Sequence, residues 1–393
     1  MIEWLFFLLP IAALSGWLLA RKYYKNSLRS QTAVVSPDYF QGLNYLLNEQ
    51  PDKAIEVFVR LLEVNSETVD THLALANLFR RRGEIDRAIR IHQNLIARPH
   101  LPAAQRTQAL VELGLDYMNA GVLDRAEQLF LDLINKPSPP TEAFQQLLRI
   151  YQQEKAWQKA IEMALKVQSQ SQQNMGVLIA QFYCELAEQQ VKLSNFNVSA
   201  LLKSAHSHDH NCVRATLLEA KLYIQAGHFR KASKSLLRIE KQDHRYIQEA
   251  LPLLLDCYLQ MNNLKVFNDW LESLLIKYPN MTSARLMLTQ VILLQQGSQA
   301  AQDYLYPQLR EHPSVEGLHR LISLGEQANP MLVPLIKGIT DTLVRRGNRY
   351  TCQSCGFAGK SMHWQCPGCK QWGSVQPTEI HLSFLETLLE SSK

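Results

Sequence analysis

Through residues 36–345 apolar side chains recur at intervals of three and four, the spacing of one buried helical stripe, and the alternation expected of strands is scarce. A longer period overlies that stripe. Gly42, Tyr45, Ala54 and Phe58 are followed 34 residues later by Ala76, Phe79, Ala88 and His92. The set returns as Gly114, Tyr117, Ala126 and Phe130, and 34 residues on as Leu148, Tyr151, Ala160 and Ala164. A small residue, an aromatic three later, then alanine and a large apolar residue on a second helix is the tetratricopeptide pattern. The small residue lets paired helices approach, and the aromatic fills the gap to the next pair. Gly83 and Gly121 fall in the turns between helices. Ala220/Tyr223/Gly227/Ala232 and Leu255/Tyr258/Asn262/Phe267 are looser copies, residues 187–199 fit poorly, and beyond Ala284 helices continue without a clear register. Prolines at 99, 102, 137, 139 and 140 mark loops between units. The fold class expected is all-α, a right-handed tetratricopeptide superhelical solenoid whose concave face binds peptides or protein segments.

The two ends differ from this body. Residues 4–20 are apolar apart from Ser15, and Arg21-Lys22-Tyr23-Tyr24-Lys25 follows at once. A stretch of about 17 residues is just long enough to span a bilayer as a helix. Glu3 precedes it and no Lys or Arg does, the reverse of a cleaved signal peptide. The positive-inside rule then puts the chain after Arg21 in the cytoplasm. Residues 1–20 are read as a transmembrane anchor, 21–35 as a basic juxtamembrane linker and 36–345 as the repeats. Residues 346–377 form a small metal-binding domain. Residues 378–393 form an amphipathic helix, with Thr378 as N-cap and Ile380, Phe384, Leu385, Leu388 and Leu389 as its stripe, docking on the metal knuckles or the last repeat.

Cys352-Gln-Ser-Cys355 and Cys366-Pro-Gly-Cys369 carry the sharpest chemistry. Two C-x-x-C pairs within 18 residues give a tetrathiolate spacing, each pair folding into a knuckle that brings two sulfurs to one ion. Gly356 suits the left-handed conformation of the first knuckle and Pro367 pre-sets the second. Four thiolates suit one structural metal ion, tetrahedral zinc or iron, and leave no open position for a substrate. The other three of seven cysteines, Cys184, Cys212 and Cys257, are scattered, which argues against a disulfide framework and for buried positions on helix faces.

Charge is nearly balanced, with 41 Lys and Arg against 36 Asp and Glu, so no general polyanion binding is implied. Locally, no acidic residue occurs between Thr342 and Thr378, while Arg345, Arg346, Arg349, Lys360, Lys370 and four aromatics do. That combination supports an alternative reading, a membrane-tethered repeat scaffold whose basic zinc ribbon binds RNA. A tetrathiolate zinc centre carries net charge −2, which offsets part of the basic patch, and nucleic acid is not the favoured partner. His206, His208 and His210 read as a solvated loop between helices. Gly359-Lys360-Ser361 lacks the first glycine of a phosphate loop, since Ser354 stands there. No nucleophile elbow, dinucleotide fingerprint or H-E-x-x-H is present, and the chain reads as no enzyme.

Phe7-Leu8-Leu9-Pro10 with Gly16-Trp17, residues 42–47, 77–80, 87–93, Asp116-Tyr117-Met118, 182–187, and 350–369 with Trp364 and Trp372 occur in one order. In that order they resemble the lipopolysaccharide assembly protein B family over nearly the full length, as far as Pro377. The resemblance implies a single-pass protein of the inner membrane of Gram-negative bacteria, with its body on the cytoplasmic side. It implies a regulator of lipopolysaccharide biosynthesis that brings the lipid A deacetylase LpxC to the FtsH protease for proteolysis. Other inner-membrane lipopolysaccharide assembly proteins are further partners it implies. The family's metal domain is rubredoxin-like and packs on the repeats. Here Lys370 replaces the glycine after the second pair and the ten-residue gap between pairs is short, a departure that weakens a redox role.

Overall fold

In the computed structural model the described residues are Trp17, most of 37–57, 69–171, 174–192, 198–325, positions 336, 340 and 341, and 347–378. The expected anchor (apart from Trp17), the expected linker and the helix expected over 378–393 (apart from Thr378) lie outside them. Among the described residues no helix is long and apolar enough to cross a membrane. The chain divides into two compact units, Met1–Ile150 and Tyr151–Lys393.

The first unit holds α1 (Pro37–Leu47), α2 (Val69–Arg81), α3 (Ile85–Ile96), α4 (Ala103–Asn119) and α5 (Leu123–Ile134), with α6 (Thr141–Gln153) crossing its end. The small positions of the repeat are closed: Ala54, Ala76, Ala88 and Ala126 are all fully buried. At Gly114 an added Cβ would clash with the tip of the Phe130 ring, so glycine is what lets α4 and α5 approach.

A second regularity ties each turn to the aromatic of its repeat. The N–H five residues later donates to that residue's carbonyl: Gln50 to Tyr45 at 2.9 Å, Glu84 to Phe79 at 2.9 Å, Val122 to Tyr117 at 2.9 Å and Ala156 to Tyr151 at 2.8 Å. His228 to Tyr223 at 2.8 Å and Asn263 to Tyr258 at 3.0 Å repeat it in the looser copies. This is the helix-ending bond that requires a left-handed residue one step before the donor. Gly83, Gly121 and Gly227 supply it at φ of +83°, +75° and +72°, whereas Lys155 and Asn262 adopt +57° and +49° with side chains in place. Eight residues after each of five aromatics a cation sits over the ring: Lys53, Arg87, Arg125, Lys159 and Lys231, 5.0–6.0 Å from the centroids.

His92 takes the large apolar position of its repeat and is fully buried. Its Nδ1 lies 2.5 Å from Oδ2 of the equally buried Asp116. Arg80 donates to Asp116 Oδ1 at 3.0 Å and to Glu112 at 2.7 Å. The network joins α2, α3 and α4 through charge where the pattern calls for packing.

The second unit continues with α7 (Trp157–Ser171), α8 (Gly176–Lys192), α9 (Val198–His208), α10 (Val213–Gln225), α11 (Phe229–Leu236) and α12 (Ile239–Asp243). A 3-10 turn (His244–Tyr246) leads into α13 (Ile247–Gln260), α14 (Leu264–Lys277), α15 (Thr282–Gln296), α16 (Ser298–Glu311) and α17 (Val315–Leu324). One apolar core runs from Val213 to Val291 and takes in Met362 and Trp364 at its edge. The histidine tract departs from the expected loop. His206 and His208 lie in the last turn of α9, because buried Leu202 and Ala205 carry the helix through them. His208 stacks on Tyr183 at 5.7 Å, and Arg238 lies 3.3 Å from His206 Nε2. Cys184, Cys212 and Cys257 are buried as expected, with Cys184 and Cys212 sulfurs 3.9 Å apart.

Replacing Gly114 by Val should destabilise the chain by about 2 kcal/mol, the cost of overpacking plus β-branching. Adding Phe130→Ala should recover part of that loss, and urea unfolding of the two single variants and the double variant measures it. Lys155→Gly should raise stability by roughly 0.5–1 kcal/mol by relieving the left-handed backbone, against a penalty if the residue were ordinary helix.

Candidate metal centre

Three short strands build the C-terminal ribbon: β1 (Tyr350–Cys352), β2 (Ala358–Gly359) and β3 (Val375–Pro377), antiparallel in the order β2-β1-β3. Two knuckles of matching form hang from them. In the first, Gly356 N–H donates to Cys352 O at 2.9 Å and Cys352 N–H to Phe357 O at 2.7 Å. In the second, Lys370 N–H donates to Cys366 O at 2.9 Å and Cys366 N–H to Gln371 O at 3.0 Å. Gly356 at φ +74° and Lys370 at φ +60° occupy equivalent left-handed positions. Lysine thus adopts the conformation glycine would ordinarily supply, and the knuckle is kept despite the substitution.

The knuckles bring all four predicted ligands together. Every Sγ of Cys352, Cys355, Cys366 and Cys369 lies within 4.8 Å of the others. The closest pairs cross between knuckles, Cys352 with Cys369 at 3.7 Å and Cys355 with Cys366 at 3.6 Å. Metal–sulfur bonds of about 2.3 Å place the corners of a tetrahedron about 3.8 Å apart, so the spacing fits one ion. A disulfide needs about 2.05 Å and all four are free thiols. No other group of three or more metal-ligating side chains comes together among the described residues. Cys352 and Cys366 face inward, Cys355 and Cys369 outward.

Electrostatics favour thiolates in part before any ion enters. The hydrogen bond with Ser374, helped by the N–H groups of Cys355 and Ser354, draws the Cys352 thiol down to about 6. The Gln371 N–H lowers Cys369 in the other knuckle. For Cys355 the Phe357 N–H lowers, but burial and the three neighbouring thiols together push it up to about 11. One sulfur of each knuckle is thus shifted toward the thiolate form, and binding of an ion would displace the remaining protons.

Side chains that the cysteine spacing does not indicate fix the ribbon to the helices of its own unit. Arg214, on α10, is 3 % exposed and donates to Glu185 and Glu188 of α8, each at 2.8 Å. Its guanidinium carbon stands 5.9 Å from the Trp364 ring and 6.0 Å from the Trp372 ring. Burial alone would lower its pKa, but Glu188 and Glu185 outweigh that and raise it. Trp372 meets Trp157 and Phe182 edge-on, at 5.9 and 5.8 Å, and donates from Nε1 to Gln152 at 3.2 Å. Trp364 stacks on Tyr246 at 5.8 Å. Tyr246 donates to Val375 O at 2.9 Å and Tyr350 to Glu249 at 2.7 Å, both phenols held protonated because burial raises them. The available signal is a lone arginine in the apolar run Cys212-Val-Arg-Ala-Thr-Leu-Leu218, facing two glutamates three residues apart.

Comparison with known proteins agrees with this geometry. The profile of the rubredoxin metal binding domain matches residues 350–377, and that of the tetratricopeptide repeat matches 39–102. Lipopolysaccharide assembly protein B of Escherichia coli K12 is 37 % identical over 385 residues, covering 96 % of this chain and 98 % of its own. That of Haemophilus influenzae is 36 % identical over 395 residues, with the same two coverages of 96 % and 98 %. A solved structure of YrrB, a TPR protein with an unusual peptide-binding site, is 16 % identical with TM-score 0.34, covering 51 % of this chain and 97 % of that one.

Arg214→Ala should release the ribbon from the helices while the local thiolates still hold one metal per chain. A blue-shifted, buried tryptophan emission should move to the red, and Arg214→Lys should not restore it, since an ammonium can neither fork two carboxylates nor stack between two rings. Cys366→Ser with Cys369→Ser should instead lose the metal, read by elemental analysis.

Proposed function

Because this chain belongs to the lipopolysaccharide assembly protein B family, we propose that it serves lipopolysaccharide assembly as a non-enzymatic adaptor. Its finer task in this reading is to bring LpxC to the FtsH protease at the cytoplasmic face of the inner membrane. The observation that carries the proposal is identity to the family across nearly the whole chain, ribbon and repeats together. The tetracysteine set supports it by leaving no ligand position for a substrate once four sulfurs hold one ion. Helical repeats present extended surfaces suited to protein segments. An anchor at residues 1–20 would confine those surfaces near membrane proteases and raise the effective concentration of client and protease. Zinc or iron both satisfy the tetrathiolate in this role, because the ion's contribution is folding energy.

The RNA-binding reading loses its main support. Trp364 and Trp372, two of the four rings expected to stack on bases, are engaged with Tyr246, Arg214, Trp157 and Phe182.

LpxC half-life, followed after translation is stopped, should lengthen several-fold when Cys366→Ser/Cys369→Ser, or a chain lacking residues 1–20, replaces the native protein. FtsH and LpxC should both co-purify with the native chain from membranes. Unchanged LpxC turnover with a metal-free ribbon would sink the link between metal and proteolysis.

A further inference from the structure

The end of the ribbon forms one wall of an open groove of about 470 Å³. Pro377 and Thr378, the last described residues, line it together with His244, Arg245 and the α14–α15 corner. The corner contributes Tyr278, Pro279 and Met281, an apolar floor. The charged side chains that line the groove itself are cations, Arg245 and Lys277, each paired with a carboxylate outside the lining. His244 lies flat on Tyr278 at 4.7 Å, and Lys277 reaches over the same ring at 5.1 Å while holding Glu240 at 2.8 Å. Arg245 bonds Asp243 at 2.7 Å and extends to Gln376 of β3 at 2.6 Å. Ser283, in the first turn of α15, also lines the groove. That helix starts at Met281 with no side-chain cap and no acidic residue in its first turn, so its positive end meets no carboxylate of its own.

The sequence beyond Thr378 has the complementary chemistry. Ile380, Phe384, Leu385, Leu388 and Leu389 share one face at helical spacing, and Glu379, Glu386 and Glu390 fall off it. Glu379 is one residue, about 3.5 Å of chain, from the groove wall. We propose that residues 379–393 fold back as an amphipathic helix into this groove, setting Glu379 toward the start of α15 and the apolar stripe on Tyr278, Pro279 and Met281. Three observations favour this occupant over any other. The segment is tethered at the groove's own edge, so it competes at the high effective concentration of a link without slack. Its carboxylates answer a rim of histidine, arginine, lysine and a helix start. Its apolar face needs cover, and the groove supplies an apolar floor within reach. Docked there, the segment bridges β3 and the α14–α15 corner and adds to the bonds from Tyr246 and Arg245 that hold the ribbon's last strand against the helices. Two other occupants fit the same groove in principle, the corresponding segment of a second copy and a partner's acidic helix, and the test separates them.

A photoreactive benzophenone side chain in place of Phe384, in the full-length protein, reads the docking directly. The expected result is an intramolecular crosslink to peptides containing 244–248 or 277–283, with a yield unchanged on tenfold dilution. Lys277→Glu should cut that yield at least threefold while metal content stays at one ion per chain. Separately, a chain ending at Thr378 should show at least tenfold faster amide exchange in 277–283. Crosslinks that join two copies and fade on dilution, crosslinks to other parts of the chain, or exchange at 277–283 unaffected by removing the segment would each overturn the proposal.

Discussion

The guanidinium of Arg214 is the contact on which the second unit depends. A buried cation without partners would be expelled or would unfold its surroundings. Here two carboxylates from α8 neutralise it, and the rings of two ribbon tryptophans lie 5.9 and 6.0 Å from its guanidinium carbon. Nη2 of Arg214 serves both carboxylates, Nε bonds Glu188 a second time, and Nη1 reaches Gln181. The ribbon has three strands of two or three residues and a small core of Tyr350, Cys352, Cys366 and Val375. A segment that short cannot bury enough apolar surface to stand alone. It needs an ion on one side and a helical wall on the other, and Arg214 ties it to that wall.

Metal and wall divide the work along the ribbon. The inward sulfurs Cys352 and Cys366 belong to the small core, while the outward pair Cys355 and Cys369 is exposed. The tryptophans lie on the helical side, Trp364 preceding Cys366 by two residues and Trp372 coming three after Cys369. Fixing the second knuckle therefore also fixes the two rings that hold Arg214. Lys370 bears on this directly. A left-handed lysine costs about 1–2 kcal/mol, which is tolerable only where the surrounding bonds over-determine the turn. The paired bonds through Cys366 do so, and metal ligation reinforces them.

Much of this is legible in the sequence, and the boundary of legibility has a physical cause. The tetratricopeptide register is a local property, since small, aromatic and turn residues act within one helical hairpin, and it reads correctly even at Leu255/Tyr258. The four cysteines are legible for the same reason, with only two residues between the ligands of each knuckle. Arg214 is not. Its partners come from α8 and from a ribbon more than a hundred residues away, and no spacing rule links them. The cation eight residues on follows five of the six aromatics, whereas glycine holds the turn after three, yet Lys and Arg are so common on helix surfaces that the regularity stands out only beside the rings. The histidine tract misleads because polar residues alone suggest a loop, while Leu202 and Ala205 on the buried face decide the helix.

His92 and Asp116 show why geometry must be weighed with access. A 2.5 Å imidazole–carboxylate contact with an arginine behind the carboxylate has the outline of an acid–base pair. Both residues are completely buried, and among the described residues His92 Nε2 is shielded from solvent and has no hydrogen-bond partner. Proton transfer requires the far nitrogen to meet a reacting atom, and here it meets core. What the pair can do is specify register. An apolar residue at 92 would pack against α4 in several ways, whereas the His92–Asp116 bond is satisfied in one, and sliding α3 by a turn would bury the His92 imidazole without its carboxylate while Arg80 kept Asp116 and Glu112. Polar groups buried on those terms trade some stability for a single arrangement of neighbouring repeats. A fixed arrangement is what a binding surface made from successive helices requires.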